Sequence, residues 1–224
     1  LKSPMTGAST DALMAFIHIV SFIILAGVTI AMIYFAIKYK RKSEDDETPL
    51  ITHNNTLEIT WSVIPLLLVF VVFGWGYKGW LNLKTVPDNA YEIQVSAYKW
   101  GWTFKYETGA QVGNEVHVPA GRPVKLVMQS QDVLHSFFVP DYRIKHDVLP
   151  NRYTYVWFQA EEPGESQVFC TEYCGTSHSD MLAKVVVHTE EGFQTWLAEQ
   201  GTGSGGTPVE RGEQLSTLQG CVTC

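Results

Sequence analysis

Apolar residues first gather into two long runs and then disperse into short alternating ones, and this change of rhythm divides the chain. From Leu13 to Ile37 the sequence is almost continuous hydrocarbon, interrupted by His18, Ser21 and Thr29. Wound as a helix, about 25 such residues are long enough to cross a bilayer. A second run from Trp61 to Trp80 predicts a second span, so residues 1–90 read as an N-terminal segment and a two-helix transmembrane hairpin. Just ahead of it, Asn55-Thr56-Leu57-Glu58 has the spacing of a capping box, with Asn in place of Ser or Thr. The first run is followed by Lys38, Lys40, Arg41 and Lys42, and such basic clusters stay on the cytoplasmic side. Both termini are then expected outside. A cleaved signal peptide is too short to account for the first run, and its basic residues would precede the apolar stretch. The start at Leu1 in place of Met raises the expectation that a short leader has been removed.

Beyond the second run the period shortens. Tyr91-Glu92-Ile93-Gln94-Val95-Ser96 and Pro123-Val124-Lys125-Leu126-Val127-Met128 alternate apolar with polar, and turn signals stand at Glu107-Thr108-Gly109 and Pro119-Ala120-Gly121. Residues 91–190 therefore predict an all-β sandwich or barrel, large enough to bury its own core. A helix is expected over Glu190 to Gln200, where acidic residues open the first turn and Phe193, Trp196 and Leu197 share a face. Gly201 to Gly206 has the composition of a flexible linker, so residues 191–209 read as a short helix and tether ahead of a further segment at 210–224.

Composition narrows the possible partners. The formal net charge of -7 argues against a nucleic-acid partner, whose phosphates need clustered Lys and Arg, and suits a basic protein better. The four cysteines stand in two tight pairs, Cys170 with Cys174 and Cys221 with Cys224. Outside a membrane such pairs are disulfides, metal sites or haem attachments.

Cys170 to Met181 reads C-T-E-Y-C-G-T-S-H-S-D-M, which gathers two thiols, an imidazole and a thioether into one loop. Soft sulfur with imidazole selects copper or zinc over calcium and magnesium. A mononuclear blue-copper site uses one Cys, so the second thiolate has no place there, whereas two thiolates can bridge two copper ions. A Cys170–Cys174 disulfide and a zinc site remain alternatives, but a disulfide explains neither His178 nor Met181, and a thioether is a poor zinc ligand. A second imidazole is available upstream, at the end of an apolar strand reading Asp132-Val133-Leu134-His135-Ser136-Phe137.

Together, D-V-L-H-S-F and C-x-E-x-C-G-x-x-H-x-x-M resemble subunit II of the haem-copper cytochrome c oxidases. His53 to Trp61 and Ile64-Pro65 resemble the start of that family's second helix, and the likeness runs over roughly residues 10 to 190. The resemblance implies an α+β membrane protein with a two-helix hairpin and a cupredoxin-like Greek-key β-sandwich. It implies a dinuclear copper centre (CuA) bridged by Cys170 and Cys174 and completed by His135, His178, Met181 and the Glu172 carbonyl. The Glu172 side chain would help hold magnesium at the boundary with subunit I. Trp100, in Lys99-Trp100-Gly101-Trp102, is similar to the aromatic residue that receives electrons from cytochrome c, although Gly101 stands where an aromatic is frequent. Glu58 lies in the motif placed near a proton-uptake path. Ile144-Lys145-His146-Asp147 and Pro150-Asn151-Arg152 resemble a segment lying against subunit I, with Asn151 in place of Gly. His18, His53, His117, His146 and His188 receive no metal role.

Gly212 to Cys224 resembles the opening of a class I cytochrome c domain and stops one residue short of the His of C-x-x-C-H. Alone, C-x-x-C is also a disulfide or zinc half-site. The haem reading expects Cys221 and Cys224 to carry covalent haem c in a continuing chain, tethered close to the copper.

The functional expectation is an electron-accepting subunit of a terminal oxidase in a bacterial plasma membrane, with the copper domain outside. Its partners would be subunit I and the other oxidase subunits, cytochrome c or another donor, and lipid, but no nucleic acid. Competing readings are a copper-handling or assembly protein and a nitrous-oxide-reductase-like domain. The latter lacks the two-span hairpin, and quinol oxidases keep the hairpin but lack the copper ligands.

Overall fold

A computed structural model of the chain describes residues 7–47 and 50–201. The described chain falls into two compact units, one of Thr10–Trp80 and one running from Leu81 onward. The expected linker from Thr202 and the cysteine pair at Cys221 and Cys224 lie outside the described residues.

The first unit is built on two helices, α1 (Gly7–Lys38) and α2 (Asn55–Lys84). Both exceed the runs read from the sequence, because the helices continue past their apolar cores into polar ends. Each is apolar all round, with a mean hydropathy of 2.5 for α1 and 2.2 for α2 over the best window, and is long enough to cross a membrane. The start of α2 corrects the expected cap by one position. The N-cap is Asn54: its Oδ1 accepts the Leu57 amide at 3.1 Å, while Glu58 Oε1 accepts the Asn54 amide at 3.2 Å. Glu58 thus takes part in a reciprocal cap, shifted because Asn54 supplies the side-chain oxygen.

The second unit carries ten strands in two five-stranded sheets. The first holds β1 (Tyr91–Tyr98), β2 (Gly101–Lys105), β3 (Gln111–Gly113), β5 (Pro123–Ser130) and β8 (Thr154–Gln159), in the order β3-β2-β1-β5-β8. The second holds β4 (Glu115–Pro119), β6 (His135–Val139), β7 (Ile144–Val148), β9 (Gly164–Cys170) and β10 (Leu182–His188), in the order β4-β10-β9-β6-β7. The alternation seen in β1 and β5 sends Ile93, Val95, Ala97, Leu126 and Met128 inward to meet Val116, Val118, Phe137, Val139, Val168 and Val185. Each large side chain so buried contributes about 1.5–3 kcal/mol. The helix α3 (Glu190–Gly201) follows β10 and seals one end of the sandwich by burying Phe193 and Leu197.

Asp132-Val133-Leu134 does not share a strand with His135-Ser136-Phe137, as the sequence pattern suggested. The preceding strand β5 stops at Ser130, and His135 opens β6 after a turn. Within that turn the Ser130 hydroxyl donates to the Val133 carbonyl at 2.5 Å. Asn151, which replaces the expected Gly, sits at φ 57, and Asn tolerates this left-handed conformation better than most residues.

Candidate metal centre

Strand pairing brings the distant parts of the site together. β6 lies antiparallel to β9 with Phe137 opposite Cys170, which carries His135 to the end of β9 across 35 residues of sequence. β9 and β10 are antiparallel with Phe169 opposite Leu182, so the loop between them must return on itself. The Cys170 amide donates to the Met181 carbonyl at 3.3 Å and the Thr171 amide to the Ser136 carbonyl at 3.1 Å, closing the loop at its base. A short 3-10 turn, His178–Asp180, brings His178 back over Cys174.

Five side chains and one carbonyl converge. Cys170 Sγ and Cys174 Sγ are 3.8 Å apart, and both thiols are free and buried. This separation is far beyond a disulfide bond. His135 Nδ1 is 3.9 Å from Cys170 Sγ, and His178 Nδ1 is 3.4 Å from Cys174 Sγ. Met181 Sδ is 3.8 Å from Cys174 Sγ, and the Glu172 carbonyl oxygen is 3.4 Å from Cys170 Sγ. Among the described residues, His135, Cys170 and Cys174 form the one His/Cys/Asp/Glu group whose ligand atoms fit around a metal ion. His135 and Met181 are fully buried, which keeps water from the cluster.

The electrostatics suit a soft cation. Burial raises the cost of charging Cys170, but hydrogen bonds from His135, the Ser136 amide and the neighbouring loop reverse this and lower its pKa. Cys174 moves the opposite way, first through burial and then through the adjacent Cys170 charge. Burial opposes a proton on His135, yet its contacts with Cys170 and Asp132 raise its pKa overall. A metal replaces these protons and relieves the repulsion between the two thiolates.

Two contributors escaped the sequence reading. Asp132 Oδ1 is 2.8 Å from His135 Nε2, so the carboxylate orients the imidazole with Nδ1 toward Cys170. Gly175 has φ +125, and a β-carbon there would stand 3.2 Å from Trp100 Cζ2. The Cys-Gly step of the loop was the available signal for Gly175, and the D-V-L-H motif for Asp132. Trp100 is half-buried against the core and Trp102 fully so, with the Trp102 ring edge-on to His135 at 6.2 Å. A β-carbon on Gly101 would fall 2.9 Å from the Tyr98 hydroxyl oxygen, so the cross-strand tyrosine already covers this position.

The remaining candidates make contacts of their own. Glu58 serves the cap of α2. His18 Nδ1 donates to the Met14 carbonyl at 2.7 Å, and His146 Nε2 lies 3.4 Å from Lys84 Nζ. His117 and His188, given no partner by the sequence, pair with each other at 2.8 Å.

A family model for the transmembrane domain of cytochrome c oxidase subunit II matches residues 3–75, and one for its periplasmic domain matches residues 73–189. The chain belongs to the cytochrome c oxidase subunit II family. Among its relatives, cytochrome c oxidase subunit 2 of Alkalihalophilus pseudofirmus is 35% identical over 92% of this chain, which spans 65% of that protein's length. The subunit 2 of a Synechocystis strain is 28% identical over 79% of this chain and 67% of its own length. The periplasmic domain of subunit II of cytochrome oxidase (CoxB) of Bradyrhizobium japonicum shares the fold. It has a TM-score of 0.50 and 24% identity and covers 52% of this chain and 96% of its own. Membership in the subunit II family implies a copper centre, and the free, buried Cys170–Cys174 pair with flanking imidazoles is the donor set that fits one. The two apolar helices and the transmembrane-domain match make the chain a membrane protein with a periplasmic domain.

Proposed function

We propose that this chain accepts electrons from cytochrome c at a dinuclear copper centre and passes them to the haem-copper subunit I of a terminal oxidase, where dioxygen is reduced to water. The observation that carries the reading is the convergence of two free thiols, two imidazoles and a thioether around one loop carbonyl. Cys170 and Cys174 would supply the two thiolates that hold the ions. His135 Nδ1, His178 Nδ1, Met181 Sδ and the Glu172 carbonyl would complete the set. The bound pair would supply a one-electron carrier whose charge is shared across both ions.

The chain's own residues supply orientation and exclusion of water. Asp132 holds the tautomer of His135, burial of Met181 and Cys174 keeps the surroundings dry, and two rigid strands fix both ends of the loop. Such a fixed, dry donor set suits electron transfer, since little rearranges when charge arrives. It suits a copper-handling protein poorly, because cargo must leave through exposed, labile ligands.

Trp100, resting on the copper loop, is assigned as the point where electrons enter. The Glu172 side chain is assigned to magnesium shared with subunit I, and Glu58 to the proton-uptake side. Residues 1–90, 91–190, 191–209 and 210–224 serve as hairpin, copper domain, helix with tether, and the start of a cytochrome c domain bearing haem c on Cys221 and Cys224. The hairpin sits in lipid in a bacterial plasma membrane, with Lys38 to Lys42 inside and both termini outside.

Electron paramagnetic resonance and optical spectra of the purified oxidase complex test the proposal. The native protein should show an unpaired electron shared by two coppers. Cys174→Ser should abolish that signature and stop reduction by cytochrome c. Zinc in the native site, or a Cys170–Cys174 disulfide in the assembled complex, would overturn the reading.

A further inference from the structure

The contact between Trp100 and Gly175 is not explained by metal ligation. Gly175 follows the second cysteine of the copper loop at φ +125, a conformation open to glycine and strained for other residues. A β-carbon on it would lie 3.2 Å from Trp100 Cζ2 and 3.3 Å from Trp100 Nε1. The edge of the indole therefore rests on bare loop backbone. No polar contact registers the ring, because Trp100 Nε1 is buried and has no hydrogen-bond partner among the described residues. The backbone beside the ring is anchored separately: the Lys99 amide donates to Asp132 Oδ2 at 2.8 Å, and the same carboxylate holds His135. Backbone and ring are thus tied to two different parts of one site, the backbone beside the ring by a hydrogen bond to Asp132 and the ring by van der Waals contact with Gly175.

We propose that Gly175 is a positioning residue that sets the closest approach of Trp100 to the copper loop, and thereby the rate at which an electron crosses from the donor. The proposal rests on the reading of Trp100 as the point where electrons enter. One electron passes from the donor's reduced haem to the oxidised copper pair; no bond forms or breaks and no proton moves. Electron tunnelling weakens steeply with each added fraction of an ångström between carriers. A packed interior transmits small displacements instead of absorbing them. A methyl group at position 175 pushes the ring outward, and no hydrogen bond to the indole pulls it back.

Glycine is also needed there for the loop backbone, so the test must separate strain from contact. Four forms of the intact oxidase complex do this: native, Gly175→Ala, Trp100→Phe, and both together. Gly175→Ala should slow donor-to-copper transfer severalfold in stopped flow while leaving the two-copper spectrum unchanged. In the Trp100→Phe background, where the indole is already gone, it should slow transfer no further. A structure of the metal-free Gly175→Ala chain should show the indole displaced with the Cys170–Cys174 spacing still 3.8 Å. An unchanged rate, an altered copper spectrum, or equal slowing in both backgrounds would overturn the role of Gly175 and leave that of Trp100 standing. Undiminished transfer in Trp100→Phe alone would overturn the reading of Trp100, and the proposal with it.

Discussion

The Asp132 carboxylate accepts its three shortest hydrogen bonds from the Lys99 amide at 2.8 Å, the Val133 amide at 2.6 Å and His135 Nε2 at 2.8 Å. Its burial works against the charge, but these bonds prevail and hold its carboxyl below the usual aspartate value. An asparagine of the same size offers one acceptor oxygen and one donor nitrogen, so at least one of these three donors must then face an N–H. Asp132→Asn is expected to weaken copper binding by roughly 10- to 100-fold, the range for lost outer-shell support of a ligating histidine, as read by chelator competition. The candidate donors of the loop were legible because their chemistry is local: C-x-E-x-C-G-x-x-H-x-x-M states donors and spacing within one loop. Gly175 was not, because it acts on Trp100, which only folding makes its neighbour; Asp132 stands three residues from His135, but only the turn between β5 and β6 directs its carboxylate onto the imidazole.

At the scale of elements, α3 is docked by more than its apolar face. Trp196 stacks on His117 at 4.2 Å between centroids, and His117 Nδ1 meets His188 Nε2 at 2.8 Å, while Glu115 lies 3.6 Å from His117 Nε2. Tyr106, which also touches Trp196, accepts the His117 amide at 2.7 Å. Burial first, and then the neighbouring His188, lower the His117 pKa to about 4 from its ordinary 6.5, with Glu165 acting weakly the other way. Unfolded His117 therefore binds a proton between these values while the folded residue refuses it, so stability is full above 6.5 and falls as the pH drops toward about 4. Burial lowers the His188 pKa as well, which adds to the trend. The urea midpoint of the full chain in detergent should decline across that window, and His117→Gln should flatten the decline. The helix itself was readable from Phe193, Trp196 and Leu197 on one face, whereas the histidine pair joins β4 to β10 across a parallel register that no local pattern encodes.

For the whole molecule, the proposed orientation follows from basic residues just after α1, since Lys and Arg resist transfer across the membrane. A cysteine introduced at Ser43 should react with an impermeant thiol reagent only when the cytoplasmic face is open, whereas one at Thr108 should react from the outside; the reverse pattern would invert the topology. Two spans, a β-domain and the helix that follows it were all legible in the sequence, because apolar run length and residue period are local properties set by bilayer thickness and backbone geometry. The candidate donors of the Cys170–Met181 loop were legible for the same reason. Tertiary structure alone decided the strand order, the start of β6 at His135 after a turn, and the pairing of Phe137 with Cys170 that delivers the second imidazole. It also decided that Asp132 orients that imidazole and that Trp100 lies on Gly175. The Phe137–Cys170 and Trp100–Gly175 contacts join segments far apart in sequence and are fixed by sheet register and a shared core; the Asp132–His135 contact spans three residues, and its geometry depends on the turn that separates β5 from β6.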